Sequence, residues 1–301
     1  MGNKKVLVTG KGGQLGRSIK KISDDLRDYE FIYTGRSELD LSDEKIIDDY
    51  FKNRHFDIII NCAAYTSVDL AETETELSYQ LNCRAVKKLA EISKDKGILL
   101  VHISTDYVFD GNKDQPYSED DQTNPINSYG LSKLEGENAI KEAKPNSLII
   151  RTSWLYSEFG NNFLKNIIKL GLEKKDISVI DDQIGTPTYA GDLAKAIFQI
   201  IDIREKHKNN NLRSSVKVDS VDLYHFSNEG ACSWYIFAKR IFEIANLNCS
   251  IKPISYIDFK SSTKRPCYSV MSKSKIYKLG ISIPHWESSL IGMIKNTDLI
   301  K

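Results

Sequence analysis

Val6-Leu7-Val8-Thr9-Gly10-Lys11-Gly12-Gly13-Gln14-Leu15-Gly16 decides how the rest of the chain is read. Three apolar, strand-favouring residues run into a turn with glycines at 10, 13 and 16, and a helical pattern follows from 14 to 27. Strand, glycine turn and helix in that order have a physical use. Glycines allow a tight turn and close approach of the backbone to a pyrophosphate, while the first turn of the helix offers unpaired N–H groups and partial positive charge. The stretch predicts the opening βα unit of a dinucleotide-binding sheet, with Gly10, Gly12, Gly13, Gln14, Leu15 and Gly16 around the cofactor.

Working outward, the same alternation recurs. Phe31-Ile32-Tyr33, Ile58-Ile59-Ile60, Leu99-Leu100-Val101-His102-Ile103 and Leu148-Ile149-Ile150 read as strands, and stretches near 43 to 53, 76 to 96 and 128 to 143 as helices. The runs are almost purely apolar, as strands covered by helices on both faces must be. Beyond Arg151 the rhythm changes: a helix at 161 to 174, a strand at Ser178 to Ile180, a helix at 190 to 203, a strand at Tyr224-His225-Phe226, a helix near 233 to 246 and a final helix after Pro284. Arg204 to Asp222 is polar, without apolar periodicity, and reads as an exposed loop. The expected fold class is α/β, a Rossmann-type doubly wound parallel sheet with a smaller, interleaved C-terminal α/β substrate domain. The cofactor domain is expected over 1–150 plus about 188–226, and the substrate domain over about 151–187 plus 227–301.

The 301 residues suffice to bury a sizeable core. Against 42 basic side chains stand 41 acidic ones, so no net field draws the molecule to nucleic acid or an anionic membrane. An anionic ligand must be held locally. Cys62, Cys83, Cys232, Cys249 and Cys267 are odd in number, scattered and without metal-ligand spacing, which fits a reducing compartment. The apolar run after Lys4-Lys5 is too short for a signal peptide, and no segment approaches the roughly 18 apolar residues of a membrane span. A cytoplasmic protein is expected.

Two further regions suggest chemistry. After the second strand comes Gly35-Arg36-Ser37, where a guanidinium at Arg36 can pair with a 2′-phosphate and favour NADP. Glu38 and Asp40 nearby leave NADH open, and a solvated surface arginine is the alternative. Asn61-Cys62-Ala63-Ala64-Tyr65 places small residues at the ligand edge of a strand. Tyr129 and Lys133 stand four residues apart in a helix, on one face. A phenol with pKa of about 10 is a reluctant acid, and an adjacent ammonium stabilises the phenolate that proton transfer leaves. The pairing suits carbonyl reduction, with Thr105 at the end of the fourth strand able to hold the substrate oxygen or else to cap the following turn.

The glycine turn, Asn-x-Ala-Ala, Ser104-Thr105-Asp106-Tyr107-Val108-Phe109, Tyr129-x-x-x-Lys133 and Arg151-Thr152-Ser153-Trp154 occur here in the order and spacing of a known family. The chain resembles the extended short-chain dehydrogenases and, more narrowly, the dTDP-4-dehydrorhamnose reductases. The likeness continues through Gly160-Asn161-Asn162-Phe163, Asp182-Gln183-Ile184-Gly185-Thr186-Pro187-Thr188 and Arg265-Pro266-Cys267-Tyr268-Ser269, with only the 204 to 220 region looking inserted.

The resemblance implies reduction of the 4-keto group of dTDP-6-deoxy-L-lyxo-4-hexulose, with NADPH as hydride donor. By that carry-over Tyr129 gives the proton, Lys133 binds the nicotinamide ribose and lowers the tyrosine pKa, and Thr105 holds the C4 oxygen. Asp40 and Leu41 match positions near the adenine, and Ala63, Ala64 and Tyr65 positions along the cofactor. Trp154 matches the residue against the sugar, with Asp106 beside it, and Asn162, Phe163, Gln183 and Arg265 are candidates for the dTDP part. Core packing for Trp154 and Phe163, satisfaction of buried backbone by Gln183 and a structural ion pair for Arg265 are the alternatives. Some relatives form dimers bridged by magnesium on acidic side chains. This chain has Ser18 at one such position, so no bridging metal is expected and a homodimer stays open. A dehydratase or epimerase would share the fold, but dehydratases of this kind carry Glu where this chain has Tyr107. A non-catalytic regulatory subunit of the same fold is the alternative from another class.

Overall fold

The structure, a computed structural model, describes residues 3–210, 220–259 and 261–297. Its first half runs β1 (Lys4–Thr9), α1 (Gln14–Ile22), β2 (Tyr29–Thr34), α2 (Glu44–Lys52), β3 (Ile58–Asn61), α3 (Thr75–Tyr79), α4 (Ala85–Lys96), β4 (Leu99–Thr105), α5 (Ser128–Ala143) and β5 (Ser147–Thr152). The second half runs β6 (Leu155–Tyr156), α6 (Phe163–Glu173), β7 (Asp176–Ile180), β8 (Ile184–Gly185), β9 (Thr188–Tyr189), α7 (Ala190–Asn210) and β10 (Val221–His225). It ends with β11 (Cys232–Ser233), α8 (Trp234–Ala245), β12 (Ser250–Ile254), α9 (Tyr256–Phe259), α10 (Ser274–Tyr277) and α11 (Trp286–Lys295).

A six-stranded sheet in the order β2-β1-β3-β4-β5-β10 forms the centre, and every pairing in it is parallel. Strand alternation sorts its side chains between two cores. Val6, Val8, Ile58, Ile60, Val101 and Ile150 face Leu15 and Ile19 of α1 and Leu193, Ile197 and Ile201 of α7. Leu7, Ile59, Leu100 and Ile149 face Ile47, Leu89 and Ile140 of α2, α4 and α5 on the other side. Each such side chain contributes about 1.5–3 kcal/mol by leaving water, which is why these runs are apolar throughout.

From β1 the chain steps outward to β2 and then returns past β1 to β3. The reversal leaves a crevice at the C-terminal ends of β1 and β3, where open α/β sheets bind ligands. A separate apolar cluster gathers Tyr156, Leu164, Ile168, Phe237, Ile241, Trp286 and Leu290 from the second half, beside the short pairs β7·β12, β6·β9 and β8·β11. Its helices α6 and α8 form one wall of that crevice.

Three details differ from the sequence reading. The first helix ends at Ile22, and a 3-10 turn at Ser23–Asp25 follows because Ser23 turns its hydroxyl back onto Lys20 O. The expected helix from 76 to 96 is broken by a π turn at Gln80–Arg84. There Asn82, fully buried, binds both the N–H and the C=O of Tyr65 (2.9 and 3.0 Å). The polar stretch from Arg204 to Asp222 is not all loop: α7 continues to Asn210 and β10 begins at Val221, while 211–219 lies outside the described residues. Arg204 and Asp222 looked solvated, yet they are buried as an ion pair with each other, and Arg204 also donates to Asn146 at 2.8 Å.

Candidate active site

The C-terminal ends of β1 to β5 open onto a cleft of about 1480 Å³. That exceeds the roughly 300–1,000 Å³ of a single small-molecule pocket, so two ligands can lie in it together. At one end Gly10 adopts φ +68°, and a Cβ there would meet Ala63 N at 2.8 Å, so turn and β3 loop touch backbone to backbone. A Cβ on Gly12 would meet nothing within 4 Å, which leaves open space above the turn. Gly13 is the N-cap of α1, and the first N–H groups of the helix, at Gln14 and Leu15, have no carbonyl behind them. These features fit a pyrophosphate. Gly16 instead serves packing, since a Cβ would meet Gly10 O at 2.5 Å. The Gln14 side chain turns away from the turn, donating to Leu155 O (3.1 Å) and accepting from Ser157 and Asn162, and so ties α1 to the second half.

Beyond the glycine turn, Arg36 lines the cleft with its side chain 70% exposed and only a loose 4.0 Å contact to Asp40. Both nearby carboxylates are occupied. Asp40 accepts from Ser42 N and Oγ, and Glu38 accepts from Lys11 at 2.5 Å and from Gly35 N at 2.8 Å, which holds its carboxyl down at about 2. Arg36 is thus left at this end of the cleft without a close anionic partner among the described residues. Leu41, Ala63 and Ala64 also line the cleft. Tyr65 does not belong to that wall: its hydroxyl donates to Glu74.

Midway along the cleft lies the acid–base group. Asn127 caps α5 by accepting from Gly130 N at 2.8 Å, which starts the helix one residue before Tyr129. Burial pushes the Tyr129 phenol up to about 12, against a hydrogen bond with Thr105 that lowers it. Lys133 is 2% exposed, and its Nζ donates to Ile103 O at 2.6 Å. Burial brings it down to about 8, against the charge of Glu137, one helical turn on. Near neutrality the phenol is therefore a proton donor and the amine still mostly an ammonium. Glu137 is wholly buried and takes two bonds from Arg151 (2.8 and 2.7 Å) and one from Ser104 (2.6 Å). Burial alone would raise its carboxyl, but these partners outweigh that and hold it below the usual range. Asp106, beside Thr105 (3.1 Å), has no such cation, and burial lifts it to about 6.

The far end is aromatic and polar. Trp154, at φ +44°, stacks on Trp234 with ring centroids 3.5 Å apart, so one of its faces is already covered. Phe163 packs on Trp234 at 4.4 Å, and all three line the cleft. Thr152 Oγ1 and Gln183 Nε2 are buried there without a hydrogen-bond partner among the described residues, as groups awaiting a polar ligand would be. Asn162 lines the cleft too, but its amide is spent on capping α6 and on Gln14, Ser157 and Phe159. Arg265 reaches across the mouth to Asp69 (2.8 and 2.9 Å). Trp234, Asp69, His102 and Glu137 were missed from sequence. Of these only Glu137 carried a signal, its place one turn after Lys133. Ser18 turns its hydroxyl onto Gln14 O, and no cluster able to hold a metal occurs among the described residues. Nor is any helix among them long and apolar enough to cross a membrane.

A proton-donating phenol beside an ammonium, set where a parallel sheet offers a dinucleotide its glycine turn, defines an NAD(P)-dependent oxidoreductase of the extended short-chain dehydrogenase class. Within that class the chain belongs to the family described as the RmlD substrate binding domain, whose family model matches residues 4–299. It is 37% identical over 290 residues to the dTDP-4-dehydrorhamnose reductase of Sinorhizobium fredii, covering 95% of each chain. It is 39% identical over 293 residues to that of Aggregatibacter actinomycetemcomitans, covering 95% of this chain and 97% of the other. The crystal structure of the Bacillus anthracis dTDP-4-dehydrorhamnose reductase in complex with NADP superposes with a TM-score of 0.89, at 38% identity, covering 98% of this chain and 100% of that one.

Proposed function

We propose that the protein reduces the 4-keto group of dTDP-4-dehydro-6-deoxy-L-mannose (dTDP-4-dehydrorhamnose) with NADPH, giving dTDP-L-rhamnose for cell-surface polysaccharide precursors. The observation that carries this reading is the gathering of Thr105, Tyr129 and Lys133 at the middle of a cleft with room for two ligands, Thr105 and Lys133 buried and Tyr129 half-buried. NADPH, when bound, supplies hydride to C4. The Thr105 hydroxyl turns its single proton from Asp106 to the carbonyl oxygen, and the Tyr129 phenol gives that oxygen a proton as it becomes a hydroxyl. Lys133 stabilises the phenolate that remains and binds the nicotinamide ribose. Gly10, Gly12, Gly13 and the first turn of α1 hold the pyrophosphate, with Arg36 on the 2′-phosphate and Asp40, Leu41, Ala63 and Ala64 along the rest. On the sugar side Asp106 and Trp154 border the hexose, and Phe163, Gln183 and Arg265 face the dTDP. Arg265 exchanges Asp69 for the diphosphate when substrate enters. The five cysteines are free, which supports work in the cytoplasm.

The test is incubation with NADPH and dTDP-4-dehydrorhamnose, following NADPH consumption and identifying the product by NMR. Equimolar NADPH loss and dTDP-L-rhamnose are expected, and Tyr129→Phe lowers kcat by about 10²–10⁴-fold. Undiminished turnover in that variant rejects the proton donor, and no turnover of this sugar by the wild type rejects the substrate.

A further inference from the structure

Lys133 stands at the end of a buried row that the Tyr-x-x-x-Lys spacing does not include. Strand register sets Thr9 opposite Asn61, and Asn61 opposite His102, across β1, β3 and β4. Their exposures are 1%, 2% and 0%. Ala63 N donates to Thr9 Oγ1 at 3.2 Å, and the Thr9 hydroxyl donates to Asn61 Oδ1 at 2.7 Å. Asn61 Nδ2 then lies 3.2 Å from His102 Nδ1, and His102 Nε2 lies 3.4 Å from Lys133 Nζ.

A backbone amide can only donate, so Ala63 orders the row. Thr9 accepts from it and passes its own proton to Asn61 Oδ1, which leaves the Asn61 amide to donate to His102 Nδ1. The single proton of the neutral imidazole is then on Nε2, facing Lys133. Such a donor suits a neutral amine and opposes an ammonium. The distances agree with that opposition: Nζ is 2.6 Å from Ile103 O but 3.4 Å from His102.

We propose that His102 is a positioning residue for Lys133: held as the Nε2–H tautomer by the row behind it, it directs the ammonium toward the Ile103 carbonyl and the cleft, and sets the upper pH limit of the reaction. Around Lys133 the charged and titratable groups are His102 on β4 and Glu137 on its own helix, with Arg151 of β5 bound to Glu137 and Tyr129 one helical turn before it. Thr9 of β1, Asn61 of β3 and Asn82 of the 80–84 turn are uncharged. Burial and the Lys133 charge both keep His102 from becoming an imidazolium.

The inference rests on the proposed reduction for its kinetic readout only. His102→Gln lets an amide oxygen turn to Lys133 in place of the N–H. The alkaline limb of kcat/KM, measured with NADPH and dTDP-4-dehydrorhamnose, then moves up by about one pH unit. A folded variant with an unmoved limb overturns the proposal. ¹⁵N NMR of the wild-type protein with labelled histidine is independent of any substrate and of whether the variant folds. It is expected to show His102 neutral with its proton on Nε2 at pH 7, and a proton on Nδ1 or an imidazolium overturns the assignment. Absence of sugar turnover would sink the proposed reaction while leaving the tautomer result standing.

Discussion

Asp106 burdens the fold at neutral pH. Its carboxyl is buried and raised from 3.8 to about 6, so the folded state holds its proton more tightly than the unfolded chain does. A raised pKa contributes stability below about 4 that is lost as pH rises through about 6, and two units correspond to about 3 kcal/mol at pH 7.5. Thr105, the residue before it, donates its hydroxyl proton to Asp106 and is held beside the cleft by that bond, which is a reason to carry the cost. Asp106→Asn is expected to raise unfolding free energy at pH 7.5 by about 1–3 kcal/mol in urea titrations while lowering kcat/KM. A variant no more stable than wild type at pH 7.5 would refute the burial account. At this scale the sequence was most informative where one spacing implied one geometry, as with Tyr129 and Lys133. It was silent on Trp234, which reaches the cleft only because the second half of the chain folds back over the sheet, and on Asp69 of the β3 loop, whose partner Arg265 arrives by the same fold-back.

Helix α5 carries the chemistry, and what fixes its depth is the absence of side chains. A Cβ at Gly136 would meet Asn82 O at 2.2 Å, and one at Gly130 would meet Tyr107 O at 2.2 Å. Intrinsic propensity favours alanine over glycine in a helix by about 1 kcal/mol, but a methyl pressed onto a backbone carbonyl costs about 1–3 kcal/mol or moves the helix. Packing wins. Gly136→Ala is expected to lower the thermal midpoint and to cut kcat, because a shift of α5 displaces Tyr129 and Lys133 from Thr105. Equal or higher stability with full activity would mean that the π turn at 80–84 yields instead. The same contact explains an element that sequence reading missed. Asn82 presents its carbonyl to Gly136 and its amide to Tyr65 only because the helix is interrupted there, and apolar periodicity carries no trace of so local a demand. The strands were legible for the opposite reason: burial on both faces leaves each as an unbroken apolar run. The end of α7 was not, since charges that pair with each other, Arg204 with Asp222, look in sequence like charges that face water.

Across the whole molecule the sheet ends in two in-register polar rows on the α5 side, Thr9–Asn61–His102 and Ser104–Arg151–His225. Lys133 meets the first row and Glu137 the second. Each row finishes in a buried histidine that stays uncharged. Burial, aided by Lys133, keeps His102 well below its ordinary value, and burial, aided by Arg151, brings His225 to about 3. Unfolded histidine takes up a proton near 6.5, so between pH 6.5 and 5 the unfolded chain binds two protons that the folded protein refuses. For a depressed pKa, stability is present above the unfolded value and declines as pH falls below it. The slope for each ring grows from half to the full value of about 1.4 kcal/mol per unit across that window, so the pair removes about 3 kcal/mol. Asp106, which gains its proton on folding, works the other way and returns about 1–2 kcal/mol, and Glu119, also raised by burial, adds to that side. Unfolding free energy is therefore expected to fall by about 2 kcal/mol from pH 6.5 to 5, where carboxylates with lowered pKa values such as Glu137 are still ionised. Urea titrations at a series of pH values measure this directly. In His225→Gln one ring's share disappears, and the decline should shrink to less than about 1 kcal/mol. A wild-type curve that is flat over this window, or the same decline in the variant, would mean that acid sensitivity enters elsewhere than through the polar rows that seat α5.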